Sequence, residues 1–135
     1  MTYTFPDVEK AVQHFIRLEL PDATIGNRFG SKILNKLAFI LVRSTPYAGP
    51  TDPRFMDRTI VDIQTFADAR EVAYEYSMRC RSALLEAWDR QTVTPDGANL
   101  SYHSENLAPA EILDTLMNDN VYRYQATYTV IVRKS

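Results

Sequence analysis

The chain has few of the residues that build disulfides, metal centres or catalytic sites. Its 135 residues include one cysteine and two histidines. A single cysteine excludes a disulfide within the chain and is typical of a reducing compartment. His14 and His103 have no spacing to each other, to Cys80 or to clustered carboxylates that would suit a metal ion. The sequence therefore predicts no metal site and no cofactor.

A large charge excess and a long apolar run are also absent. The chain has 15 Lys and Arg residues against 17 Asp and Glu residues, whereas proteins that grip a nucleic-acid backbone usually have a basic excess. The longest apolar run, Leu37 to Val42, is far too short to cross a bilayer. The first residues lack the basic and apolar regions of a signal peptide. We expect one domain, residues 1–135, made in the cytoplasm and without a membrane partner.

Two segments have apolar residues at helical spacing. The first starts near Thr4 and Asp7, with Pro6 in its first turn, and ends at Leu20. The second covers residues 69–91 and is apolar on two sides, one of which has mainly small residues. The other side consists of Tyr74, Met78, Leu85 and Trp88. Because a helix on a sheet needs only one apolar side, the second side predicts a contact with another helix or with a neighbouring subunit.

Strand patterns account for much of the remaining chain. Long strands are indicated at Leu37–Ser44, Thr59–Phe66 and Tyr122–Arg133. The last of these alternates apolar and polar residues most regularly. Shorter elements are indicated by two strand-like segments and one helix-like segment, Ala23–Phe29, Leu100–His103 and Pro109–Met117 respectively. The connection from Ser44 to Met56 is long for a hairpin, and long ordered loops are often functional, so we expect a contact arm there.

Three features suggest chemistry but fit it poorly. The segment Gly26–Lys32 has the character of a phosphate-binding loop, but its glycines are one residue too close and its Ser and Lys are in the wrong order. Cys80 falls on the small-residue side of the second helix, where a cysteine acts as a small apolar residue. Asp57 and Asp62 are an odd number of residues apart, which sends them to opposite faces of a strand. The sequence therefore predicts no enzyme activity.

Arginine, tyrosine and a few apolar residues form the candidate interface instead. Both Arg and Tyr are enriched at protein interfaces. The candidates are Arg43, Tyr47, Arg54, Phe55, Arg58, Asp62, Arg70, Tyr74, Met78, Leu85 and Arg123. Two interpretations of the charged members remain open. They are ordinary surface charges that contribute little, or they pair with acidic residues of a neighbouring subunit.

Five segments of the chain follow one another in the order known from a protein family. They are Phe5-Pro-Asp-Val-Glu9, Phe39-Ile-Leu-Val-Arg43, Asp57-Arg-Thr-Ile-Val-Asp-Ile-Gln-Thr-Phe66, Ala69-Arg-Glu-Val-Ala73 and Tyr122-Arg-Tyr-Gln-Ala-Thr-Tyr128. They are spread over most of the chain, from Phe5 to Tyr128, and they resemble the tail terminator proteins of long-tailed bacteriophages with non-contractile tails. Ser44-Thr-Pro-Tyr-Ala-Gly49 has fewer glycines than the turn expected at that place.

The resemblance implies an α+β fold, with a mostly antiparallel sheet of about four strands and two main helices packed on one face. It implies a hexameric ring in the virion, at the head-proximal end of the tail. Such a ring ends polymerisation of the tail tube protein and docks the head-tail connector protein, while DNA passes through its lumen without sequence-specific binding. The alternatives are another head-tail joining protein of the neck, or a dimeric adaptor domain in the cytoplasm.

Overall fold

The computed structural model describes residues 4–27, 38–47, 49, 58–112 and 121–134. These residues form two helices and five strands: α1 (Val8–Glu19), β1 (Thr24–Gly26), β2 (Phe39–Pro46), β3 (Arg58–Ala67), α2 (Arg70–Arg90), β4 (Ala98–Glu111) and β5 (Tyr122–Lys134). The strands form one sheet in the order β1-β2-β3-β5-β4. Only β1 and β2 are parallel, and the other neighbours are antiparallel. The α+β class is therefore confirmed, but the sheet has five strands rather than about four.

Strand β4 is the element that the sequence pattern underestimates. It was predicted at Leu100–His103, yet it pairs with β5 from Ala98 to Glu111. The predicted helix Pro109–Met117 is wrong for its first three residues, which belong to β4; residues 113–120 lie outside the described part of the chain. Three register shifts interrupt the pairing. Each shift breaks the two-residue alternation that identifies a strand in sequence, so pairing with β5 overrides the local pattern.

Helix α1 begins three residues after the predicted start. Asp7, not Thr4, is its N-cap, and the Asp7 carboxylate accepts a hydrogen bond from the Lys10 backbone N–H at 3.1 Å. Pro6 therefore precedes the helix instead of lying in its first turn. A capping carboxylate satisfies a backbone donor that the first turn leaves without a partner. The end of the helix at Leu20 is confirmed.

Both helices cover the same face of the sheet, as predicted. Alternate residues of β3, namely Val61, Ile63 and Thr65, are buried on that face. The side of α2 with small residues packs against it, so the helix lies close to the strands. Cys80 is in this contact, and burial raises the pKa of its thiol to about 12. The prediction that Cys80 acts as a small buried residue is confirmed.

Glu9 of α1 closes the outer edge of β2 where β1 no longer covers it. Its carboxylate accepts hydrogen bonds from the Ser44 backbone N–H at 2.9 Å, from the Ser44 hydroxyl at 2.8 Å and from the Asn27 side chain at 3.2 Å. Burial alone would raise the pKa of Glu9, but these hydrogen bonds and the nearby charge of Arg43 outweigh it and lower that pKa. Helix α1 is thus tied to the sheet by an ionised group.

Replacing Glu9 with Gln tests this tie. Because the pKa of Glu9 is lower in the folded protein than its ordinary value of 4.5, the carboxylate stabilises the fold above that value and loses this contribution as the pH falls through the folded-state pKa. We expect Glu9→Gln to unfold at lower urea concentration than wild type at neutral pH, with the difference shrinking towards about pH 3. Glu75→Gln, at an exposed position of α2, is the control. An equal loss at neutral and acid pH would contradict this account.

Candidate interface along helix α2 and strand β4

The structure divides the predicted interface residues between two surfaces. By strand alternation, the sheet face away from the helices contains Arg43, Arg58, Asp62 and Arg123. Tyr47 directly follows β2, next to this face. Helix α2 contains Arg70, Tyr74, Met78 and Leu85. Arg54 and Phe55 lie outside the described residues. The described candidates therefore do not form one continuous interface.

Asp62 lies on the sheet face away from the helices, and its carboxylate already has partners. One oxygen accepts a hydrogen bond from the Gln64 side chain at 2.7 Å, and the other accepts one from the Gln125 side chain at 2.7 Å. Arg43 on β2 and Thr127 on β5 are its neighbours in register. Hydrogen bonds between neighbouring strands stabilise a sheet. The arrangement indicates that Asp62 has a structural role within its own chain.

Two of the predicted arginines on the sheet face away from the helices pack on aromatic rings. The Arg123 guanidinium lies 5.7 Å from the centre of the Phe66 ring, and the Arg58 guanidinium lies 5.5 Å from the centre of the Tyr47 ring. Such cation–π contacts contribute about 0.5–1 kcal/mol at exposed sites. Both side chains are therefore positioned by residues of the same chain.

Helix α2 runs antiparallel along the whole of β4, and polar contacts join the two at three levels. Arg70 at the start of the helix pairs with Glu111 at 2.9 Å. In the middle, Arg81 donates two hydrogen bonds to the Glu105 carboxylate, one of them at 2.9 Å. At the end, the Gln91 side chain donates to the Leu100 carbonyl at 2.9 Å. We call this contact line, at the β4 edge of the sheet, the seam.

Large apolar side chains are exposed along the seam. Leu85 is 43% exposed and Trp88 37%, and the Trp88 ring lies 6.2 Å from the ring of Tyr102 on β4. We call Leu85, Trp88 and Tyr102 the seam patch; Leu85 and Trp88 line one shallow pocket near the end of α2. Two residues of the second apolar side of α2 contact their own sheet, since Trp88 packs on Tyr102 of β4 and the Tyr74 ring lies 5.7 Å from the ring of Tyr124 on β5. The contact of this side with another helix or a neighbouring subunit stays a prediction. Neighbouring exposed apolar side chains of this size are typical of interaction sites.

Tyr102 is the member of the patch that sequence reasoning missed. It was predicted to lie in a strand, Leu100–His103, but nothing in the pattern placed that strand beside α2. Leu107, another exposed residue of β4, pairs with Thr127 on the sheet face away from the helices. Met78, which was predicted as an interface residue, is partly buried. Side chains from a helix and a strand therefore form the patch together.

The backbone edge of β4 is less available than the side chains of the patch. Gln91 occupies the Leu100 carbonyl, and Val93 forms an isolated bridge with Asn99. Farther along, register shifts and Pro109 interrupt the strand. Bulges and proline are common devices that prevent edge-to-edge pairing. A partner at this edge would therefore contact side chains more than backbone groups.

A buried aromatic cluster lies directly under the seam patch. His103 of β4 is only 4% exposed, with its ring centre 4.9 Å from that of Tyr128 and 6.0 Å from that of Trp88. Neither ring nitrogen of His103 nor the Tyr128 hydroxyl has a hydrogen-bond partner among the described residues. Burial lowers the pKa of His103 and raises the pKa of Tyr128. No sequence pattern predicts this cluster, because its rings come from three different elements.

The described residues show no conventional centre for metal chemistry. Within residues 4–27, 38–47, 49, 58–112 and 121–134, no three His, Cys, Asp or Glu side chains are grouped so that they could hold a metal ion. In the same ranges, neither helix is long and apolar enough to cross a membrane.

Comparison with known proteins gives no relative that could identify the site. No protein-family model matches the chain, and no curated protein matches it. The seam and the sequence resemblance are therefore the features that bear on function.

A double-mutant cycle on Arg81→Met and Glu105→Gln tests how α2 is held on β4. The two side chains are 33% and 27% exposed and form a bidentate ion pair. We therefore expect a coupling free energy of about 1 kcal/mol in urea unfolding. The control cycle uses Arg90→Met and Glu86→Gln, a more exposed pair with a separation of 3.9 Å. We expect little coupling there. Equal coupling in the two cycles would show that Arg81 and Glu105 do not hold the seam.

Proposed function

We propose that this protein is a structural, non-enzymatic subunit that assembles with copies of itself through the seam patch. The proposed assembly is a closed ring, most simply a hexamer, that ends the tail tube of a long-tailed bacteriophage at its head-proximal end. The observation that carries the assembly is the exposure of three large apolar side chains, Leu85, Trp88 and Tyr102, where the end of α2 lies beside β4. Burial of such side chains stabilises association by about 25 cal/mol per Å² of apolar surface removed from water, before the costs of association.

The position of the patch supports contacts between copies. β4 is the strand at one edge of the sheet, whereas β1 lies at the other edge. A patch at a lateral edge faces away from its own core, so a neighbouring copy can cover it without rearranging the fold. In a ring, the patch contacts a different surface of the next copy; in a two-fold dimer, it contacts itself. The number of subunits distinguishes these arrangements.

The tail-end role is supported by the sequence resemblance and is compatible with the fold. The α+β class and the two helices on one face agree with what the resemblance implies. The net charge of −2 suits a lumen through which DNA slides without being held. The proposed partners are further copies of the chain, the tail tube protein and the head-tail connector protein.

Replacing Leu85 with Glu tests assembly through the patch. A carboxylate at a buried apolar contact loses its hydration without gaining a partner, which costs several kcal/mol, so we expect the variant to remain folded but to dissociate into monomers. Native mass spectrometry measures the stoichiometry, and circular dichroism checks the fold. Leu18→Glu is the matched control, because Leu18 is an exposed leucine on the other helix. Wild-type protein that is monomeric at micromolar concentration, or equal dissociation in both variants, would contradict the role of the patch.

The length of polymerised tail tubes tests the terminal position. Tube protein polymerises in the presence or absence of this protein, and electron microscopy measures the length distribution. We expect shorter tubes with the wild-type protein at a ratio that saturates tube ends, and unchanged tubes with Leu85→Glu. If wild-type protein assembles but leaves the lengths unchanged, the terminator role is wrong and a connector or adaptor role is favoured.

A further inference from the structure

His103 lies where a change in its charge would act on the seam patch. Its ring is enclosed between Tyr128 of β5, which belongs to the core, and Trp88 of α2, which belongs to the patch. Tyr102, which precedes His103 in β4, also contacts the Trp88 ring. Any movement of the His103 ring therefore reaches Trp88 directly and Tyr102 through Trp88.

The surroundings favour a neutral imidazole. From β4, Glu105 faces the cluster, and from α2 come Arg81 and Cys80; β5 contributes Tyr128. Glu105 and Arg81 are bound to each other by two hydrogen bonds, so the carboxylate is already engaged by a cation. No described residue accepts a hydrogen bond from His103. A charged imidazolium here would have two N–H donors without acceptors.

The neighbouring rings do not remove that penalty. A cation near an aromatic face gains about 0.5–2 kcal/mol, whereas a buried charge without a hydrogen-bonding partner costs far more. The protein can relieve this cost by releasing the proton or by opening the cluster to water. Opening moves Trp88, whose ring packs against His103, and with it Tyr102, which packs against Trp88.

We propose that His103 makes the seam patch sensitive to acid: when the ring takes up a proton, the cluster opens, Trp88 and Tyr102 are displaced, and the subunit contact at the patch is weakened. The effect on the patch is a property of the single chain. The effect on subunit contacts rests on the proposed function.

The direction of the pH effect follows from the buried position. In the unfolded chain a histidine binds its proton near pH 6.5, whereas burial makes protonation of His103 harder in the folded chain. Between these two values the unfolded state binds more protons, so stability falls as the pH falls. Each unit of pKa difference corresponds to about a tenfold change in the unfolding equilibrium.

Trp88 provides a direct probe, because it is the only tryptophan in the chain. We expect its emission in wild-type protein to shift to the red and become more accessible to quenchers between about pH 7.5 and pH 5. His103→Phe keeps a ring of similar shape without a titrating group, and its emission should not change over that range. His14→Phe is the control and should respond like wild type. A wild-type response that persists in His103→Phe, or the absence of any wild-type response, would overturn the proposal.

A titration of the wild-type protein keeps the test decisive if His103→Phe does not fold. Ring-proton NMR should show His103 taking up its proton below the value of a free histidine, at the same pH as the change in Trp88 emission. Titration at the free-histidine value without a change at Trp88 would overturn the proposal.

Native mass spectrometry across the same pH range separates this inference from the proposed function. If the oligomer dissociates on acidification in wild type but not in His103→Phe, both are supported. If the protein is monomeric at every pH while Trp88 still responds through His103, the acid-sensitive patch stands and the proposed assembly is wrong. An oligomer that is equally stable across the range in both proteins, with Trp88 responding, overturns the weakening of the subunit contact.

Discussion

The close contact between the small-residue side of α2 and the sheet is the constraint on which the other features depend. Ala73, Cys80, Ala83 and Ala87 are buried there, and their size lets the helix axis approach the strands. Leu84 is also fully buried in this contact, whereas Tyr74, Leu85 and Trp88 lie on another side of the helix. The seam patch is therefore a consequence of how the core is packed. A bulkier core side of the helix would change the position of the patch as well.

The sheet face away from the helices and the seam differ in how much of their surface already has partners within the chain. On the sheet face away from the helices, Asp62 accepts hydrogen bonds from two glutamines, and Arg123 packs on the ring of Phe66. Along the seam, the ion pairs are likewise satisfied within the chain, but the apolar side chains between them remain exposed to water. Exposed apolar surface has a driving force for association, whereas satisfied hydrogen bonds do not. This difference separates the seam from the face where most of the predicted arginines lie.

Much of the fold could be predicted from sequence because its main elements have uninterrupted periods. Helix α2 and strands β3 and β5 repeat their apolar residues over many positions, so boundary errors were small. β4 was underestimated because register shifts break its alternation, and the start of α1 was misplaced because Thr4 and Asp7 are both acceptable caps. The α2 half of the candidate site was predictable from its second apolar side. Tyr102 and the His103 cluster were not, since they depend on which strand lies beside the helix.

The burial of Cys80 makes the chemistry of its thiol a measure of local motion. A thiol reacts as its thiolate, and the thiolate is scarce when the pKa is about 12. Cys80 is also closed off from solvent, so a labelling reagent reaches it only when α2 separates from the sheet. The rate of labelling in native buffer then reports the free energy of that opening at the sulfur atom of the one cysteine in the chain. Any ligand or subunit that holds α2 in place would slow the reaction without touching the cysteine.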